Sequence, residues 1–341
     1  MRKFSLLATG LVVAVGAALP ARAADVTLTV HHFLSATSPA QASFMQPWAD
    51  KVAKQSNGRI KVEIYPSMSM GGKPPELYRQ VRDGAADIVW TLIGYTPGVF
   101  PRSEVYELPT VHGGSAEATN LAIQDTFKLV AEDFKDLKPL LVHVHAGNMI
   151  HTRDKAIKSV DDLRGLKLRT PSRTGAWLIE SWGAEPVGMP VPALPEALSK
   201  GTVDGALVPF EIFLPLKLQD LTKHSVEGED GSRFGTSVFL YAMNKARYDG
   251  LPADLKKVID DNSGAAIAAD VGKVWDEVEG PGEKAQEDSG GKIIQLSAQA
   301  KAAFDERGRT VEKRWIDEAK GFDGAALVAA AKAAVKKHSK R

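Results

Sequence analysis

One construction occurs twice along the chain: a helix that ends at glycine, followed at once by an apolar strand entered through aspartate. It is seen in Val81-Arg-Asp-Gly84-Ala-Ala-Asp87-Ile-Val-Trp90 and again in Leu198-Ser-Lys-Gly201-Thr-Val-Asp204-Gly-Ala-Leu-Val208. Each is the closing half of a strand–helix–strand unit. Parallel strands joined by crossover helices are covered on both faces, which restricts the chain to an α/β architecture. Two such units predict two lobes, with a cleft where the strands end.

The rest of the pattern is consistent with this. Segment 26–33 alternates apolar and polar residues, as does 59–65 through Ile60, Val62 and Ile64. Between them, Phe44, Trp48 and Val52 recur at i, i+4 and i+8, one face of a helix over 40–56 that stops at Asn57-Gly58. Prolines open a helix over 74–83, and 86–93 is a nearly continuous apolar strand. A helix over 115–136 and a strand over 139–145 follow. Next come a capped turn over 159–165, a strand over 166–171 and a helix over 174–182, then a strand near 186–189, a helix over 195–200 and a strand over 203–208. From Leu251 to about Gly290 the pattern is helical, with a break expected at Gly280-Pro281-Gly282. Two further helices are expected over 297–320 and 323–337. The predicted organisation is lobe I over 24–147 and 238–290, lobe II over 148–237, and C-terminal helices over 291–341 packed across both.

Residues 1–23 have the layout of a secretory leader. Arg2 and Lys3 precede an apolar run from Leu6 to Leu19, and Ala21-Arg22-Ala23 is a small-x-small cleavage site. The run is too short to span a bilayer comfortably and ends at Pro20. With no Arg-Arg pair, the route is Sec-type, and cleavage is expected after Ala23. The chain has no cysteine. It therefore has no disulfide to support the core and no lipid-bearing residue after the leader, which leaves a free periplasmic protein. Lys and Arg number 43 against 42 Asp and Glu, and loss of the leader's three cations leaves a slight acidic excess. Such a balance gives no footprint for nucleic acid.

Catalytic signatures are scarce: there is no phosphate loop, no nucleophile elbow and no His-Glu-x-x-His motif. His31 and His32 point to opposite faces of a strand, whereas His143 and His145 share one. Without a third candidate ligand they read as polar groups of a core or pocket, and neither a metal nor a cofactor is expected. A secreted hydrolase or lyase using the histidine pair with Glu211 or Asp204 is the alternative from another class.

The segment Ser159-Val-Asp-Asp-Leu-Arg-Gly-Leu-Lys-Leu-Arg169-Thr-Pro171 resembles the signature of the solute receptors of tripartite ATP-independent periplasmic (TRAP) transporters, of the dicarboxylate-receptor type. Four other phrases resemble the same family in the same order: YPSMSMGG at 65–72, LYRQVRDGAADIVW at 77–90, FPRSEVYELP at 100–109 and EALSKGTVDGALVPFE at 196–211. The resemblance covers roughly 26–320. It implies a two-lobed periplasmic binding protein, type II-like, with hinge strands, a long spanning helix and C-terminal helices. It further implies a non-enzymatic receptor, monomeric or dimeric, that serves small and large membrane subunits; a receptor feeding a periplasmic sensor is not separable from this.

In that family, the arginine matching Arg169 binds the ligand carboxylate. Arg169 ends a predicted strand, and its fork of donors suits a carboxylate. Two departures bear on the ligand. Relatives that bind dicarboxylates or sugar acids carry an asparagine where this chain has Val208, and sialic acid receptors carry an additional arginine where it has Asn148-Met149. One arginine among apolar replacements suits a monocarboxylate with an apolar or aromatic body. A C4-dicarboxylate, a 2-oxo or 2-hydroxy acid and a sugar acid are the alternatives. Trp90 and Phe210 are the preferred walls, with Phe33, Tyr95, Phe213, Phe234, Phe239 and Tyr241 as further aromatic candidates; His145, Asn148 and Glu211 are candidates for bonding a ligand hydroxyl or keto group.

Overall fold

The structure, a computed structural model, describes residues 25–339. The leader with its cleavage site, and Lys340-Arg341, lie outside the described residues. In chain order the strands are β1 (Val26–His32), β2 (Ile60–Tyr65), β3 (Ile88–Leu92), β4 (Leu137–Val144), β5 (Met149–Thr152), β6 (Lys167–Thr170), β7 (Glu185–Gly188), β8 (Gly205–Val208), β9 (His224–Glu227), β10 (Val238–Asn244) and β11 (Lys292–Gln295). They form two sheets, with orders β2-β1-β3-β10-β4 and β11-β9-β5-β8-β6-β7. In the first, β1 runs parallel to β2 and β3, while β10 is antiparallel to β3 and β4. In the second, β6 is parallel to β7 and β8, and β5 is antiparallel to β8 and β9.

The apolar run of β3 is buried throughout, as a strand covered on both faces requires. Phe44, Trp48 and Val52 are all buried against the first sheet. Their helix begins as a π-turn, Ala40–Met45, and becomes regular over Gln46–Gln55. Pro47 in that first regular turn has no N–H, so the α-type bond it would make is absent, and Gln46 instead donates to Gln41 five residues back.

The chain passes between the sheets at 145–148 and again at 228–237. Gly147 has φ +120°, and a Cβ there would lie 2.5 Å from the Cβ of Arg233, so the two crossings pack backbone to side chain with no space for a methyl group.

Two expectations for the C-terminal part are corrected. The break falls at Val278, between helices Ala268–Glu277 and Glu279–Asp288, and Gly280-Pro281-Gly282 lies in the first turn of the second helix. A proline there forfeits no intrahelical bond, because the first turn's N–H groups have no partner in any helix. The first of these helices packs over the first sheet, and the second over the segments between β8 and β9. The stretch from 291 is not all helical either, since β11 joins the second sheet parallel to β9. Helix Ala298–Glu318 lies on helix Arg173–Ser181 of the second sheet, and Gly324–His338 lies on Ala116–Val130 of the first. Among the described residues, no helix is long and apolar enough to cross a membrane.

Candidate ligand-binding site

Strand ends from both sheets meet around one cavity. In the second sheet, Arg169 on β6 stands opposite Ala206 on β8, and both strands run toward the cavity. Beyond β8, Pro209 turns the chain into the short 3-10 turn Phe210–Ile212, which carries Glu211 to the rim. The first sheet contributes Phe33 just past β1, Trp90 and Leu92 on β3, and Phe239 on β10. His145 and Asn148 arrive on one crossing, Ser237 on the other.

Arg169 is 2% exposed. Its Nε donates to the Met189 carbonyl at 2.9 Å, while Nη2 is buried without a hydrogen-bond partner. Among the described residues no carboxylate forms an ion pair with it. Burial lowers its pKa and the neighbouring Tyr95 hydroxyl opposes that shift; a guanidinium keeps its proton in proteins all the same. A buried cation without an anion is costly, so the group is poised for an incoming carboxylate.

Four rings lie in a ladder along the other wall. Phe33 stacks on Trp90 (centroids 5.0 Å, 17°), Trp90 on Phe239 (4.6 Å, 12°), and Phe239 on His143 (4.9 Å, 17°). Trp90 Nε1 donates to His143 Nε2 at 3.0 Å, which leaves the proton of the neutral ring on Nδ1. Burial drives the His143 pKa down to about 3, so it stays neutral.

Of the residues singled out from the sequence, Arg169, Trp90, Phe33, Asn148, His145 and Glu211 line the cavity together. Tyr95 lies behind Arg169, where its hydroxyl accepts the Val191 N–H at 2.9 Å. Phe210 is not a wall: Pro209 directs it into a separate cluster with His151 and Phe213, with ring centroids 5.0 and 4.8 Å away. His145 is not available to a hydroxyl either. Its Nδ1 faces the Gly147 N–H at 3.0 Å and its Nε2 the Ser237 N–H at 3.1 Å, and burial holds its pKa well below the ordinary value. Phe239, an aromatic candidate in the sequence but not a preferred wall, also lines the cavity.

Glu211 is 5% exposed, and its Oε2 is buried with no partner. Burial first, and then the Glu279 carboxylate, push its pKa up to about 8. Glu279 accepts the N–H groups of Phe210 and Glu211 at 3.3 and 2.9 Å. It lies 3.8 Å from Arg233, which also pairs with Glu227 at 3.1 Å.

Residues 30–318 match the family described as bacterial extracellular solute-binding protein, family 7. Among solved structures, the chain is similar to a TRAP solute-binding protein from a marine metagenome, specific for aromatic acid ligands and in complex with 3-hydroxybenzoate. Identity is 47%, 93% of this chain and 99% of that one are covered, and the TM-score is 0.90. A TRAP solute-binding protein from Rhodoferax ferrireducens, in complex with copurified benzoate, is 42% identical over 92% of this chain and 98% of that one, at TM-score 0.89. One from Bordetella bronchiseptica with bound mandelate is 27% identical over 91% and 99%, at TM-score 0.84. Proteins of this family are periplasmic receptors that hold small carboxylates for TRAP membrane subunits and are not enzymes. With its two α/β sheets and a match from near the first strand to the end of the penultimate helix, this chain belongs to the family 7 extracellular solute-binding proteins and is a TRAP solute receptor.

Proposed function

We propose that this receptor binds an aromatic monocarboxylate, with the carboxylate on Arg169 and the ring against Phe33, Trp90 and Phe239. The observation that carries this reading is the buried Nη2 of Arg169, which has no partner in a cavity walled mainly by apolar and aromatic side chains. A phenyl ring that buries about 150 Å2 of apolar surface gains about 4 kcal/mol, enough to offset the hydrogen bond that Val208 cannot make. The aromatic acids bound by the similar proteins support the same ligand class. A C4-dicarboxylate fits less well, because Arg169 is the only cation among the described lining residues and a second carboxylate would face Val208 or Glu211. The two sheets act as lobes that close over the ligand about the crossings at 145–148 and 228–237. Ligand bonds to both lobes supply the differential affinity that favours the closed form. The leader is removed after Ala23, and the mature monomer presents its closed form to the small and large membrane subunits.

A thermal-shift panel of benzoates, 2-oxo and 2-hydroxy acids, dicarboxylates and sugar acids tests this. Ligand at 100 times its Kd adds about 2.7 kcal/mol of stability. Benzoate-type acids are expected to give the large shifts; a strong shift with succinate and none with benzoate overturns the reading.

A further inference from the structure

We propose that Glu211 is the second polar contact of this cavity and that, as a neutral carboxyl, it reads a hydroxyl on the ligand's ring, so that ring-hydroxylated aromatic acids are preferred to unsubstituted ones. The inference rests on the reading of the cavity as an aromatic carboxylate site.

Arg169 and Glu211 sit at the carboxyl end of the parallel strands β6 and β8, Glu211 five residues beyond Ala206, the strand partner of Arg169. A ligand held by its carboxylate on Arg169 thus leaves Glu211 to meet another part of the molecule. Glu211 lines the cavity, is buried, and has an oxygen without a partner, which native interiors rarely leave unexplained.

The charges around Glu211 decide its protonation state. On helix Glu279–Asp288, Glu279 is the nearest acid, with Glu283 in its own first turns. Arg233 on the crossing pairs with Glu227, Glu279 and Glu283, not with Glu211. Across the cavity stand Arg169, which is committed to the ligand carboxylate, and a neutral His145. Ionising Glu211 would set it against Glu279 and against the ligand's own charge at a buried position. Burial favours the same neutral form. A neutral carboxyl offers one O–H donor and one carbonyl acceptor, the complement of a hydroxyl, which is also both. A site built to bond a hydroxyl rejects the analogue lacking it, because its buried polar atoms are then left unpaired.

Asn148 is the competing partner, as its side chain also lines the cavity. The test measures Kd for benzoate, 3-hydroxybenzoate and 4-hydroxybenzoate at pH 6.5 with the wild type, E211L, E211Q and N148A. The wild type is expected to bind one of the hydroxybenzoates at least ~10-fold tighter than benzoate. E211L should bring that ratio to about one, and E211Q should retain the preference because an amide keeps a donor and an acceptor. Between pH 6.5 and 8.5 the wild type should lose affinity for all three acids as Glu211 ionises beside the ligand's own charge, and E211Q should not, a readout that stands even if E211L folds poorly. No hydroxyl preference in the wild type, a preference that survives E211L, or one lost only in N148A overturns the Glu211 assignment while leaving the receptor reading intact. A wild type that binds none of the three acids overturns that reading itself, and the assignment with it.

Discussion

Gly94 and Ser172 are in contact between the two sheets, and a single methyl group tests whether that contact belongs to the ligand-bound state. Gly94 lies in the 3-10 turn Ile93–Tyr95 that follows β3, and it faces the segment after β6. A Cβ at Gly94 would lie 2.7 Å from Ser172 Cβ, 3.0 Å from the Pro171 carbonyl oxygen and 3.2 Å from Ser172 Cα. Carbon atoms in good contact are ~3.5–4.0 Å apart, so Gly94→Ala requires the two segments to separate by about 1 Å. Ser172 cannot simply turn aside, because it caps helix Arg173–Ser181 by accepting the Gly175 N–H and lies three residues from Arg169. Overpacking of this kind costs about 1–3 kcal/mol. If only the closed form carries that cost, it weakens binding by roughly 5- to 150-fold. Isothermal titration with benzoate, alongside thermal unfolding of the ligand-free protein, separates the two states. The expected result is a Kd raised within that range with ligand-free Tm lowered by less than ~2 °C. Wild-type affinity in Gly94→Ala would refute the closing contact. An equal loss of stability without ligand would refute its being confined to the closed form.

Arg169→Met should weaken benzoate binding at least ~100-fold without lowering ligand-free stability, since it removes a buried charge that has no anion beside it; Arg169→Lys should fall between, and titration with thermal melts checks both. Phe239→Leu should keep stability within ~1.5 kcal/mol, by urea unfolding, while lowering affinity for aromatic acids more than for aliphatic ones. Stability should also depend on pH in a direction set by buried acids. Burial raises Glu211 to about 8 and Glu107 and Glu279 to about 7, so the native state holds protons that the unfolded chain releases above about 4.5. That contribution is complete at or below the unfolded value and is lost as pH rises to 7–8, at up to ~1.4 kcal/mol per pH unit for each group. The buried histidines act oppositely. His143 and His151 are lowered to about 3, and His32 and His112 to about 4, so their contribution is lost as pH falls below 6.5. Urea midpoints should therefore decline from pH 6.5 to 8, and E211Q should flatten that decline.

Much of the fold was legible because it rests on local chemistry. The apolar run of 86–93, the helical spacing of Phe44, Trp48 and Val52, and the glycine at position 84 (φ +80°) each reflect a requirement that a few neighbouring residues meet by themselves. The capped turn before β6 is of the same kind: Ser159 and Asp162 close a reciprocal pair of bonds within four residues. Arg169 could be named because a strand end followed by Thr-Pro, within a recognisable phrase, fixes both its place and its direction.

What the sequence alone could not state depends on partners distant along the chain. Phe239 becomes a wall only because β10 returns, antiparallel, to lie between β3 and β4. Phe210 and Glu211 are neighbours, yet Pro209 sends one to an apolar cluster and the other to the cavity. The helix breaks at Val278, where Glu279 turns to accept two N–H groups from residues almost seventy positions away. Whether His145 is free or engaged is likewise decided by the backbone of the crossings. Local pattern determines which elements form and which residues face inward, because propensity and periodicity act over a few residues. Tertiary packing decides which buried polar atoms keep a partner, and the two found without one at this cavity, on Arg169 and Glu211, define what it is built to hold.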